Sequence, residues 1–278
     1  MSRRPYPAPV RRTPFALGIV LLTVALAACA THAERFASRA ARAGFERRLV
    51  PGAGFDHVVF VAARPPSPRL HVYLDGDGVP WEAGQPAGDP TPRRPLVLEL
   101  MTRDPAAAVY VGRPCYHGMA TAPGCRPALW NEARYSDPVV DSLVAVVSRL
   151  LDGQHHADAV LIGYSGGGAL AMLMAPRIPR VAAVVTVAGN LDTDGWAAYQ
   201  HLPPLRGSRN PSRAPGLPAS IIQLHYVGAD DRVVPPRFVA SGSVPSDAVH
   251  RLEGYDHICC WVDRWPAILA EADRALNR

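Results

Sequence analysis

Ser165 stands in Gly163-Tyr164-Ser165-Gly166-Gly167, a G-x-S-x-G pattern. A serine hydroxyl is a weak nucleophile until a base takes its proton and a third group orients that base. Glycines beside the serine suit a strained, sharp bend, because neighbours without bulk let it close. The strand-like run DAVLIG leads into the serine, and the apolar, helix-like GGGALAMLMA leads out. A helix starting there would set backbone N–H groups and the positive end of its dipole beside the hydroxyl.

Partners for such a serine lie downstream. The strand-like IIQLHYVG empties into Ala229-Asp230-Asp231-Arg232-Val233-Val234-Pro235, and either aspartate could orient an imidazole. Two histidines follow. His250 lies within the strand pattern AVHRL, which ties its direction to a sheet. His257 lies in the loop Gly254-Tyr255-Asp256-His257, where it can swing over the serine, and is the expected base. An oxyanion hole needs two backbone N–H groups aimed at the developing charge. Gly166 offers the first, and Gly76 or Asp77 of Asp75-Gly76-Asp77-Gly78 the second. The acidic side chains there would disfavour an anionic substrate close by.

These residues need a scaffold, and apolar runs alternate with helical patterns to supply one. Strand-like runs fall at 55–62, 70–75, 108–112, 158–163, 181–188, 220–228 and 248–252. Helical patterns fall at 95–103, 138–152, 166–175 and 264–276. Such alternation predicts an α/β fold, a mostly parallel sheet flanked by helices on both faces. The first run, 55–62, is expected to pair antiparallel at one edge, and 31–49 to form a short amphipathic helix or tether. Two stretches rich in Pro, Gly and Asp, 78–94 and 189–218, read as long loops at the ligand-binding ends of strands. The second, with Trp196, Tyr199 and His201, is the expected lid or pocket wall.

The net charge is +5, but Arg3, Arg4, Arg11 and Arg12 supply four of the five. The remainder lacks the basic footprint of a nucleic-acid binder. All 29 basic residues are arginine, so chemistry that needs a lysine amine is excluded. No cysteine or histidine spacing fits a zinc template, and no metal or organic cofactor is expected.

The N-terminal segment has the layout of a secretory signal over residues 1–28: an Arg-rich start, the apolar run Phe15–Ala28, then small residues. Leu26-Ala27-Ala28-Cys29 resembles the lipobox of bacterial lipoproteins. That resemblance implies cleavage before Cys29, acylation of its thiol, and a mature chain of 29–278 held at the bacterial cell envelope. It faces the periplasmic or outer side, on the outer membrane if the host is Gram-negative. Export permits disulfides. Cys115 and Cys125 flank a Pro/Gly-containing loop that can close as one, whereas Cys259 and Cys260 could bridge, stay reduced or pair elsewhere.

Elbow, acid loop and late histidine together resemble the α/β-hydrolase superfamily over 55–278. The motif G-x-x-D-x-V-V-P resembles that family's acid loop and favours Asp231 over Asp230. The resemblance implies a serine hydrolase with Ser165 as nucleophile, His257 as base and Asp231 as acid, forming an acyl-enzyme from a small or medium acyl-ester substrate. A thioesterase, a peptidase or a non-catalytic binding protein on the same fold remains open.

Overall fold

Successive residues of a strand point to opposite sheet faces, so an unbroken apolar run demands burial on both, and the central strands satisfy that demand. In the computed structural model, which describes residues 30–65, 67–153, 156–239 and 244–278, β2 (Asp56–Ala62), β3 (Arg69–Leu74), β6 (Ala108–Val111), β7 (Asp158–Tyr164), β8 (Val181–Val187) and β9 (Ile222–Gly228) are almost continuously buried. With β1 (Phe45–Pro51) and β10 (Val249–Leu252) they form an eight-stranded sheet in the order β1-β2-β6-β3-β7-β8-β9-β10. From β6 to β10 all neighbours are parallel. β2 runs antiparallel to both its neighbours.

The two faces bury separate cores. Val72, Leu74 and Leu161 pack under α3 (Asp137–Gly153) and α4 (Gly166–Met174). Tyr73, Tyr110 and Ile162 point the other way, beneath α1 (His32–Arg42), α2 (Leu96–Thr102) and α6 (Trp261–Leu276). His32–Arg278 form one compact unit. Among the described residues no helix is long and apolar enough to cross a membrane. The expected leader, residues 1–28, and the expected lipidation site Cys29 lie outside the described residues.

Three expectations are corrected. The strand at 55–62 is antiparallel but interior, because β1 covers its outer edge in full register from Phe45↔Ala62 to Pro51↔Asp56. The segment read as one helix or tether divides into α1 and β1; in β1 only Phe45 is buried, so no apolar run marks it. The two loop-like stretches carry structure of their own. Residues 78–94 hold the hairpin β4 (Trp81–Glu82) and β5 (Gln85–Pro86), turned through Ala83 and Gly84, both at positive φ. Residues 189–218 hold α5 (Thr193–Tyr199), capped by the Asp192 carboxylate.

Candidate active site

Strand β7 ends against α4 in a bend with Ser165 at its apex, at φ 51 and ψ −122. A non-glycine residue there is strained and persists only where its surroundings hold it. Backbone contact does the holding. The Ser165 N–H donates to the Val187 carbonyl at 3.1 Å, and its own carbonyl accepts from Gly168 and Asn190, each at 2.9 Å. A Cβ on Gly163 would strike the Gly167 carbonyl, and one on Gly167 the Leu74 carbonyl. Helix and strand can cross this closely only without those side chains.

The loops beyond β9 and β10 bring the partners. His257 Nε2 lies 3.2 Å from Ser165 Oγ, and His257 Nδ1 lies 2.7 Å from Asp231 Oδ2. Asp231 is buried. Its other oxygen accepts the backbone N–H groups of Val233 and Val234, each at 2.8 Å. The carboxylate therefore has a fixed direction, and the imidazole spans it and the serine. Asp230 is exposed on the neighbouring turn. His250 lies on β10, stacked on Tyr226 at 4.8 Å, away from the serine. Tyr164, the variable residue of the serine motif, donates its hydroxyl to the His257 carbonyl at 3.1 Å and so steadies the imidazole's backbone.

On the opposite side of Ser165 lies the β3 loop. A Cβ on Gly76 would sit 3.3 Å from Ser165 Cβ. The Gly76 N–H is already given to the Asp75 carboxylate at 2.8 Å. Of the two expected second donors, Gly76 is thereby engaged. Gly166 N–H opens α4 and has no helical acceptor of its own.

The Asp77 side chain is a feature that the one-dimensional pattern did not reveal. Its oxygens receive the Tyr135 hydroxyl at 2.6 Å, Arg113 at 2.8 Å and Arg134 at 2.8 Å. Both arginines are buried. Burial alone would raise the Asp77 carboxyl, but the Arg134 and Arg113 charges, with hydrogen bonds from Tyr135 and Arg134, outweigh it and hold it below its ordinary range. Burial pushes the Asp75 carboxyl the other way, up to about 7, against the Gly76 N–H, the Arg113 charge and the Tyr110 hydroxyl. The two guanidiniums at least match the charge that the Asp75 and Asp77 carboxyls can carry. The expected acidic repulsion of an anion is therefore offset. The only sequence signal for it is an arginine placed just after the end of β6.

A cavity of about 480 Å³ opens onto Ser165 and His257. Its walls come from the β4–β5 hairpin (Val79, Pro80, Trp81), from α5 and the segment after it (Trp196, Leu202, Leu205), and from Val233 of the acid loop. Trp196 Nε1 and Gln200 Nε2 both donate to the Val233 carbonyl, at 2.9 and 2.7 Å, which ties α5 to the acid loop. Of the expected lid residues, Trp196 lines the cavity, Tyr199 packs on Phe238 beside it, and His201 is exposed. Cys115 and Cys125 are joined as a disulfide, and so are the adjacent Cys259 and Cys260, just after His257.

Strand order, the antiparallel second strand and the serine bend define the α/β-hydrolase fold. Solved structures share it. An α/β serine hydrolase without lid from Xanthomonas campestris aligns at 15% identity and TM-score 0.53, covering 84% of this chain and 96% of that one. An esterase from Pyrococcus furiosus aligns at 14% identity and TM-score 0.57, covering 84% and 91%. A membrane phospholipase A, described as a bacterial virulence factor, aligns at 17% identity and TM-score 0.54, covering 94% and 97%. No protein-family model and no curated protein matches the sequence.

Proposed function

We propose that the protein is an exported serine hydrolase that cleaves carboxylic esters through an acyl-enzyme on Ser165. The observation that carries this reading is the continuous Asp231–His257–Ser165 chain of polar contacts, at 2.7 and 3.2 Å, at the floor of an open cavity. As Ser165 Oγ bonds to the ester carbonyl carbon, its proton passes to His257 Nε2. The carbonyl oxygen takes the electron pair and faces the N–H groups of Gly166 and Asp77. The carbon–oxygen bond to the alcohol then breaks, and the same Nε2 proton goes to the leaving oxygen. Water, deprotonated by His257, attacks the acyl-serine and restores the free hydroxyl. Asp231 orients the imidazole and stabilises its charged form. The esterase and phospholipase named among the structural neighbours act in keeping with this reading.

The leader pattern and Leu26-Ala27-Ala28-Cys29 support a lipid-anchored mature chain at the cell envelope. The mature protein is expected to label with a fluorophosphonate probe and to lose the label in Ser165→Ala. An unlabelled parent, or labelling that survives Ser165→Ala, rejects the hydrolase reading. The anchor is tested separately, by whether Cys29→Ser moves the protein from the membrane to the soluble fraction.

A further inference from the structure

Six large apolar side chains are exposed among the described residues: Leu49, Trp81, Tyr199, Leu202, Val233 and Ile258. Exposed apolar residues scattered singly need no explanation, but a cluster marks an interaction surface. Three of the six line one opening, and two more follow its lining residues closely along the chain. Trp81, Leu202 and Val233 line the cavity over Ser165. Tyr199 ends α5 on the same wall, and Ile258 follows His257 directly. The bonds from Trp196 and Gln200 to the Val233 carbonyl hold this wall in place, so the apolar rim is preformed.

The chain enters the domain beside that rim. Arg93 Nε donates to His32 Nε2 at 3.1 Å. Arg93 also lines the cavity and is paired with Glu82, the neighbour of Trp81. Ala33 N–H is tied to the Asp89 carboxylate at 3.2 Å. Cys29, which follows the apolar run Phe15–Ala28, lies three residues before His32, and three residues of extended chain reach at most ~11 Å. Whatever holds the N-terminal segment in a membrane therefore enters it close to the cavity mouth.

We propose that the mouth of the Ser165 cavity docks on the surface of the lipid bilayer that holds the N-terminus, and that the substrate is an acyl-ester lipid drawn from that bilayer. Exposed charges on the same segments nearly balance. Arg94, Arg206, Arg232 and Arg237 stand against Glu132, Asp230 and Asp256, and the Arg93–Glu82 pair is neutral. Apolar insertion, rather than attraction to anionic headgroups, drives the docking, and a zwitterionic surface suffices. The substrate half of this proposal rests on the hydrolase reading. The docking half does not.

Two measurements on the mature chain separate them. Tryptophan fluorescence is recorded with phosphatidylcholine vesicles whose acyl chains carry bromine as quencher. Trp130, Trp261 and Trp265 are buried and Trp196 is half-buried in the cavity wall, so exposed Trp81 should carry most of the quenching, which is expected to fall by about half or more in Trp81→Phe. Hydrolysis of phosphatidylcholine in vesicles is then compared with hydrolysis of a soluble short-chain ester. In the double variant Leu202→Asp, Ile258→Asp the vesicle-to-soluble ratio is expected to drop by about tenfold or more. Quenching equal in parent and Trp81→Phe overturns the docking. So does a binding gain above about tenfold when anionic lipid is added, because headgroup charge would then be the driving force. A parent that cleaves the soluble ester but no vesicle lipid overturns the substrate class alone. A parent that cleaves neither rejects the hydrolase reading while the quenching result still decides the docking.

Discussion

The two sides of Ser165 are built on different physical principles. On the β9–β10 side, the acid and the base come from loops, and two polar contacts join three side chains in a line. On the β3–β6 side, no side chain touches the serine hydroxyl. Instead a buried cluster of Asp77, Arg113, Arg134 and Tyr135 fixes the loop proposed to supply a backbone N–H. In the proposed reaction the first side moves a proton and must tolerate a change of charge. The second would stabilise charge without moving, which requires dipoles and ions locked before the reaction starts. Proton transfer needs few residues, whereas preorganisation needs many.

The largest effect that separates the two sides should come from Ser165→Ala. It should lower kcat by about 10⁴-fold or more, because the remaining oxyanion donors work only on a bond that some nucleophile attacks. Its folding, followed by circular dichroism, should be unimpaired. Asp77→Asn should do the reverse. With the carboxylate gone, Arg113 and Arg134 are left as buried charges without a counter-ion, and stability in urea should fall by about 3–5 kcal/mol. If Asp77→Asn folds as well as the parent, the fixed-cluster account of that side is wrong.

Acid should weigh on both sides, through different groups. Burial lowers His57 to about 4 and His117 to about 3 on the β3–β6 side, and His225 of β9 to about 4. These imidazoles are neutral in the folded chain and charge on unfolding below about 6.5, so their contribution is present above that pH and lost on acidification. Asp75, raised to about 7, has the opposite sign: its stabilisation is full below about 4 and is lost as pH climbs through 7. Three protons bound on unfolding against one released predict that stability falls between pH 6.5 and 4 with a net slope near two protons. That is roughly 2.7 kcal/mol per pH unit. Asp75→Asn should steepen the slope toward three; urea titrations at several pH values read both.

The smallest change probes the loop side. Trp196→Phe keeps the cavity wall but removes the indole N–H from the Val233 carbonyl, two residues beyond Asp231. Gln200 still holds that carbonyl. A loss of about 1 kcal/mol in stability and a few-fold drop in kcat/KM are expected. No change in either would mean that the acid loop needs no brace from α5.

The same contrast governs what could be read from the chain. Ser165, Asp231 and His257 were legible because each stands at a strand end, flanked by glycine, proline or a β-branched run that shows in one dimension. The seven apolar strands were legible for the same reason. β1 was not, because its FERRLVP sequence exposes most of its length at the sheet edge and carries no apolar period. α5 escaped because it is seven residues long and set among Pro, Gly and Asp. The Asp77 cluster escaped for a deeper reason. Arg134 lies 57 residues from its carboxylate, and a buried arginine looks like a surface one until the fold has closed around it.

The bend that carries Ser165 has a consequence for how this chain can change over time. At φ 51 and ψ −122, glycine would rest comfortably where serine does not, so Ser165→Gly should gain about 1–2 kcal/mol in durability. Heat or proteolysis acting as the sole selective pressure would favour the glycine. Serine persists at that position only while something rewards its hydroxyl, and relaxing that reward should erode position 165 before it touches the sheet beneath.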